Sequence, residues 1–439
     1  MKRFAAKYLY TLTTPEPLLN GFVELDDDGT VLRTGVSPDP SAEAVFLDGI
    51  LCPGFVNAHC HVELSYMKGL FRKGTGMAGF IDQINELRDT QSLEQKVQKL
   101  SDAMDDLWNQ GVVAMADISN CADSFAIKQR HPMYTRTFLE VFGAVPEECD
   151  AVMESVTRLQ AEARSFGLDA APTPHSCYTM SPELVTASSV AGLRSGFLSF
   201  HSEESDEEEE MMRYGRGPMW DNRKANGIPT PPVTGTSSLE YFLDRLKAGV
   251  PVPVEENVLL VHECCLSAEG AAAAKKVLKH PYLAVCPLSN LFIHKMLPPI
   301  PVMRESGIPI CVGTDSLSSN DALCMVDELY CLQQAFPEVP LGELLTWACR
   351  NGAAFLGKEA ALGTLQPGKK PGLVYISEVG SVPAGASAVS SVEVGSAPAG
   401  ASAVSSVEVG SAPAGASAIF FAEAGAAPRL THKSKSVRL

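Results

Sequence analysis

Two histidines one residue apart close an apolar run in PGFVNAHCHVELS, residues 53–65. In a strand, successive side chains point to opposite faces, so His59 and His61 project the same way, about 7 Å apart along the chain. One metal ion can accept both. The ordinary alternative for a single buried histidine is a hydrogen-bonded core residue. The placement of the other histidines weighs against it. Of nine, five (His59, His61, His175, His201 and His262) fall at the ends of segments that read as strands, and Asp315 of VGTDSLSSND ends another. Three neutral imidazoles and one carboxylate suit Zn2+ or Fe2+ and leave a position for water, whose pKa such an ion lowers to about 7. Hydrolysis also needs a group that moves protons. In FHSEES, Glu204 lies three residues after His201, where strand turns into loop, and can overhang a site without occupying the metal. Asp206 to Glu210 continue the acidic run and read as a solvated face.

The elements that must position these residues can be counted. LCPGFVNAHCH, VVAMADIS, YTRTFLEVFG, LDAAPTPHSC, GFLSFHSEES, NVLLVHECC, YLAVCPLSN and IPICVGTDS read as strands, with helical stretches between most of them. Eight strands with crossover helices fit a (β/α)8 barrel, which collects reactive residues at the C-terminal strand ends. The polar residues named above lie at those ends. The barrel domain is placed at 51–357. Residues 1–50 contain NGFVELDDDGTVLRTG, a hairpin signal, and form the first part of a small β domain to which 358–379 return. Residues 380–428 hold three successive 15-residue units rich in Ala, Ser and Gly, starting at 380, 395 and 410. They offer few large side chains and are expected to be flexible or weakly β. The basic tail 429–439 reads as a last strand.

Composition narrows the partners. The net charge of -17 argues against a nucleic-acid or anionic-membrane surface, because either needs clustered Lys and Arg. A small-molecule substrate is expected, with a homo-oligomer left open. Twelve cysteines scattered through apolar segments, with no C-x-x-C pair, are the pattern of reduced thiols and point to the cytoplasm. No run approaches the roughly 18 apolar residues of a membrane span.

Taken in order, PGFVNAHCHVELS, PHSCYTMSPEL, HSEES, VHECCLS with CPLSNLFI, and VGTDSLSSND resemble the amidohydrolase superfamily, in the branch of cytosine, guanine and adenosine-type deaminases and triazine chlorohydrolases. The first motif, with Glu63 after the H-x-H, resembles the subgroup that includes aminodeoxyfutalosine deaminases. The resemblance implies an α/β fold: a distorted (β/α)8 barrel with a small β-sandwich domain built from the N- and C-terminal segments. It implies that His59, His61, His201 and Asp315 hold one divalent metal, Zn2+ or Fe2+. Glu204 would move protons to the substrate, His262 would orient the attacking water or the substrate, and Asp315 would take a proton from the water. His175 would touch the substrate, while Ser289 and Asn290 shape the seventh strand's loop. Strand 4 contains no lysine, so the bridging carbamylated lysine of two-metal relatives is absent and one metal is expected. The implied reaction is hydrolytic deamination of an amino-substituted heterocycle. The same machinery can expel chloride or open a cyclic amide. A non-catalytic assembly protein on this fold is the alternative of a different class.

Overall fold

The computed structural model describes residues 1–43, 45–88, 90–382 and 427–439. Beyond their first three residues, the repeats expected to be flexible lie outside the described residues. The eight runs all form strands: β1 (Phe55–Cys60), β2 (Val112–Ser119), β3 (Tyr134–Val141), β4 (Asp169–Pro174), β5 (Phe197–Ser202), β6 (Val254–His262), β7 (Leu278–Val285) and β8 (Ile310–Val312). They make two four-stranded parallel sheets, β1 to β4 and β5 to β8, each in sequence order. Parallel pairing of this kind requires crossovers, and helices supply most of them. The protein is therefore an α/β fold built on parallel sheets.

Isolated parallel bridges join the two sheets at both margins, Ser176 with His201 and Cys60 with Asp315. His201 N–H donates to the His175 carbonyl at 2.9 Å, and Thr314 N–H to the His59 carbonyl at 3.0 Å. Each bridge thus places a sequence-predicted site residue on a seam. The approach at the second seam is tight: a Cβ on Gly313 would lie 2.7 Å from the His59 carbonyl oxygen and 2.8 Å from the His59 Cβ. Glycine is the residue that permits this contact. Beneath the strand ends, small side chains (Val56, Ala58, Ala114, Ala116) pack with Phe138 and Phe355, whose rings stack 6.0 Å apart.

The helical stretch between β1 and β2 comprises helices Gly76–Leu87 and Leu93–Asn109, the second started by a capping box of Ser92 and Gln95. The chain's two ends share a six-stranded sheet in the order Lys435–Arg438, Leu373–Ser377, Phe46–Pro53, Lys2–Leu9, Leu18–Leu25, Val31–Val36. The expected hairpin is its edge, with Gly21 opposite Val36. At the foot of the repeats, Gly380–Val382 pairs antiparallel with Ala427–Arg429. All twelve cysteines are unpaired, and among the described residues no helix is long and apolar enough to cross a membrane.

Candidate active site

His59 occupies the end of β1, and His61 comes next but one, as the first residue of the turn beyond the strand. Their Nε2 atoms lie 3.2 Å apart, and His201 Nε2 from the end of β5 lies 3.1 Å from the first and 3.4 Å from the second. Burial holds His59 and His201 well below the ordinary imidazole pKa, reinforced by the neighbouring histidines. Three buried nitrogens that turn toward one another leave at least one pair facing like to like, lone pair to lone pair or N–H to N–H. The three nitrogens could hold a shared cation, which would relieve that conflict. Tetrahedral ligands 2.0–2.1 Å from a Zn2+ centre stand about 3.3–3.4 Å from each other, close to the separations here. His201 Nδ1–H donates to the His175 carbonyl at 3.2 Å, which fixes the tautomer that leaves Nε2 free.

Asp315 comes after β8 in a left-handed conformation, φ 55°. Its Oδ1 lies 3.7 Å from His61 Nε2 and 3.9 Å from His59 Nε2. Its Oδ2 accepts from Ser289 Oγ at 2.6 Å and from Ser319 Oγ at 3.2 Å. The carboxylate is thus anchored by one oxygen and presents the other to the histidines. Glu203, His262 and Glu263 also take positive φ. Non-glycine residues hold that conformation where surrounding structure enforces it, as at functional sites.

Glu204 is buried beyond the end of β5, with Oε1 3.5 Å from His262 Nε2. Burial raises its carboxyl well above the usual range, and the Asp315 charge adds to the shift. Burial thus favours the protonated form of the side chain. Asn290 Nδ2 lies 3.2 Å from His262 Nδ1 and holds that ring. His61, His201, Glu204, His262 and Asp315 line a cavity of about 400 Å³ together with Leu64, Phe80, Ile81, Ile84 and Met219, and with Arg88 and Arg223. No lysine lines it.

The cluster and the order of its carriers along the chain agree with an independent comparison: the model of the Amidohydrolase family matches residues 50–396. The chain belongs to the amidohydrolase family. It is a metal-dependent hydrolase acting on carbon–nitrogen bonds other than peptide bonds. Among relatives of this amidohydrolase, an adenosine deaminase of Helicobacter pylori is 25% identical over 330 residues, covering 72% of this chain and 77% of that protein. A 5-methylthioadenosine/S-adenosylhomocysteine deaminase of Syntrophomonas wolfei is 26% identical over 369 residues, covering 79% and 78%. The crystal structure of Helicobacter pylori aminofutalosine deaminase in complex with methylthio-coformycin superposes with a TM-score of 0.69 at 23% identity, covering 85% of this chain and 91% of that one. That likeness establishes the fold.

The remaining residues of the amidohydrolase site divide into those foreseen and those missed. His175 lines the cavity beside His201, ring centroids 4.8 Å apart, and burial pushes its pKa down to about 3. Ser289 and Asn290 meet Asp315 and His262 and do not line the cavity. Glu208 corrects the reading of 206–210 as a solvated face. It is fully buried, accepts from the Glu204 N–H at 2.7 Å and the Glu203 N–H at 3.3 Å, and is pushed by burial up to about 7. Glu209 pairs with Arg213 at 2.6 Å. Helix Asp206–Tyr214 explains the difference, since a helical acidic run turns one side inward. Sequence reasoning also missed Glu140 and Asn120, which line the cavity at the ends of β3 and β2. Only their place at strand ends could have revealed them.

Proposed function

We propose that this amidohydrolase is a hydrolytic deaminase of an amino-substituted purine nucleoside, with one divalent metal, Zn2+, held by His59, His61, His201 and Asp315. The observation that carries this reading is the buried Glu204 carboxyl beside His262 at the rim of the three-histidine cluster. A bound divalent ion would acidify water to a pKa of about 7, supplying hydroxide at neutral pH. Asp315 Oδ1 accepts the proton that the attacking water gives up. Glu204 delivers its proton to the ring nitrogen next to the amino-bearing carbon, which draws electrons from that carbon. His262 Nε2, oriented by Asn290, directs the water or the substrate against Glu204. Asp315 then passes the water's proton to the amine, the C–N bond breaks to release ammonia, and the proton left on the new hydroxyl returns to Glu204 as the carbonyl forms. Positioned acid and base groups of this kind contribute roughly 10² to 10⁴ in rate. The apolar wall from Leu64 to Met219 suits a nucleoside with an apolar arm beyond its sugar.

On this reading the two bridged sheets form one distorted (β/α)8 barrel over 51–357. The six-stranded sheet is the small β-sandwich domain of 1–50 and 358–379, curled over a core drawn almost wholly from its own strands, among them Ala6, Leu9, Val23, Leu51 and Leu373. The deciding experiment is ammonia release from purified protein given adenosine, 5-methylthioadenosine, S-adenosylhomocysteine, aminodeoxyfutalosine, free purines and pyrimidines, with a halogenated triazine and a cyclic amide alongside. Turnover confined to the triazine or the cyclic amide would replace deamination with the other chemistry.

A further inference from the structure

Three carboxylates line the cavity: Asp315, Glu204 and Glu140. The first two belong to the metal cluster and to proton transfer, and the third has no part in either. Glu140 is held on one side only. Its Oε2 accepts from Asn120 Nδ2 at 3.1 Å, and the same amide nitrogen donates to the Glu140 carbonyl at 3.1 Å. Asn120 is itself fixed, because its backbone N–H is shared between Glu63 Oε1 and Oε2 at 2.9 and 3.0 Å. Glu63, two residues beyond the H-x-H pair, therefore acts through Asn120 on Glu140.

This chain of contacts ends in one buried acceptor with nothing to accept and one solvent-exposed acceptor beside it. Glu140 Oε1 is buried and has no hydrogen-bond partner among the described residues. Its neighbouring nitrogens stand too far away, His201 Nδ1 at 3.6 Å and His175 Nε2 at 3.9 Å, and the first is already given to the His175 carbonyl. With both amide hydrogens of Asn120 spent on Glu140, its Oδ1 is a second acceptor, solvent-exposed at the cavity wall. A buried acceptor without a donor is unfavourable, and one that lines a ligand cavity is satisfied by the ligand. The complement of two adjacent, rigidly held acceptors is a pair of adjacent donors. A sugar's vicinal hydroxyls supply that pair. Glu204 and His262 occupy the β5–β6 side of the cavity, and Glu140 and Asn120 the β2–β3 side. A heterocycle held by its reacting end at the former meets the latter with its opposite substituent.

We propose that Glu140 Oε1 and Asn120 Oδ1 accept hydrogen bonds from the vicinal hydroxyls of a ribosyl group, so that the site selects ribonucleosides over deoxynucleosides and free bases. The assignment rests on the nucleoside deaminase reading above. A site built to bind a hydroxyl rejects the analogue that lacks it, because its own polar groups are left unpaired.

The test compares kcat/KM for the most active adenine ribonucleoside of the panel, its 2′-deoxy and 3′-deoxy forms, and adenine, in the wild-type protein and in Glu140→Gln. The wild type is expected to lose about 10- to 100-fold on removal of either hydroxyl. Glu140→Gln is expected to lose a similar factor with the ribonucleoside and little more with the deoxy forms, so the two changes are not additive. Wild-type indifference to the deoxy forms overturns the assignment without need of any variant. An equal loss on every substrate in Glu140→Gln, or loss of its metal, also overturns it, since the carboxylate would then act through His201. If Glu140→Gln does not fold, Asn120→Ala carries the same comparison from the second acceptor. Absence of ammonia from every nucleoside sinks the deaminase reading itself, an outcome distinct from an active enzyme that tolerates deoxynucleosides.

Discussion

Ser289 Oγ donates to Asp315 Oδ2 at 2.6 Å, and the other oxygen of that carboxylate faces His61 at 3.7 Å. The serine, expected in a loop, lies with Asn290 in helix Pro287–His294 directly after β7, and the aspartate in the loop after β8, so a neighbouring element aims the carboxylate. Removing the hydroxyl frees Asp315 to rotate. Ser289→Ala is expected to lower metal affinity or turnover about 10- to 100-fold, the range for groups that orient a ligand. Competition with a chelator, read beside kcat, measures it; unchanged values in both would show that Ser319 alone suffices.

Glu204→Gln should keep its metal and its fold while kcat falls at least about a hundredfold, because the amide cannot give up the proton. Metal content and steady-state rates on one preparation decide the point. Retained activity would remove Glu204 from the chemistry.

Purified protein is expected to hold one equivalent of zinc or iron per chain, and His59→Ala or His61→Ala to lose both the metal and the activity. Elemental analysis gives the count. A reproducible second equivalent would point to a further ligand set, for which Glu140, His175 and His201 are the geometric candidates.

Burial pushes the carboxyls of Glu208 and Glu63 each up to about 7. The unfolded chain releases these protons in the ordinary carboxyl range, whereas the folded chain keeps them. The stability they contribute is therefore present at acid pH and lost as the pH rises through about 7. Relative to Glu208→Gln, the urea midpoint of the metal-free wild type is expected to fall between about pH 5 and pH 8, a comparison in which the opposite contribution of the buried histidines cancels. A wild-type profile parallel to that of Glu208→Gln would contradict the assigned burial of Glu208.

The histidine cluster was legible in the sequence because its signal is local. An H-x-H pair at the end of an apolar strand has one geometric outcome, and Asp315, His175, His201 and His262 each close a run that reads as a strand. Glu208 was misread because its environment depends on which side of helix Asp206–Tyr214 meets the core, and an unbroken acidic run carries no visible period. Glu140 was invisible for another reason. In YTRTFLEVFG it is one acid in an apolar strand, and its meaning comes from Asn120 and Glu63, residues brought beside it only by parallel pairing.

The ribbon of Gly380–Val382 and Ala427–Arg429 brings the chain back to the place from which it leaves, with Ser381 opposite Pro428. Sequence inserted between two paired ends does not displace the strand beyond them, so Lys435–Arg438 keeps its register on Leu373–Ser377 whatever the number of intervening units. Excising 383–426 and closing the ribbon with a short turn is accordingly expected to leave turnover intact. The ribbon thus acts as an attachment port. Whole repeat units can be gained or lost by slippage in the coding sequence without cost to catalysis, and copy number is expected to differ between otherwise equivalent natural versions of this hydrolase.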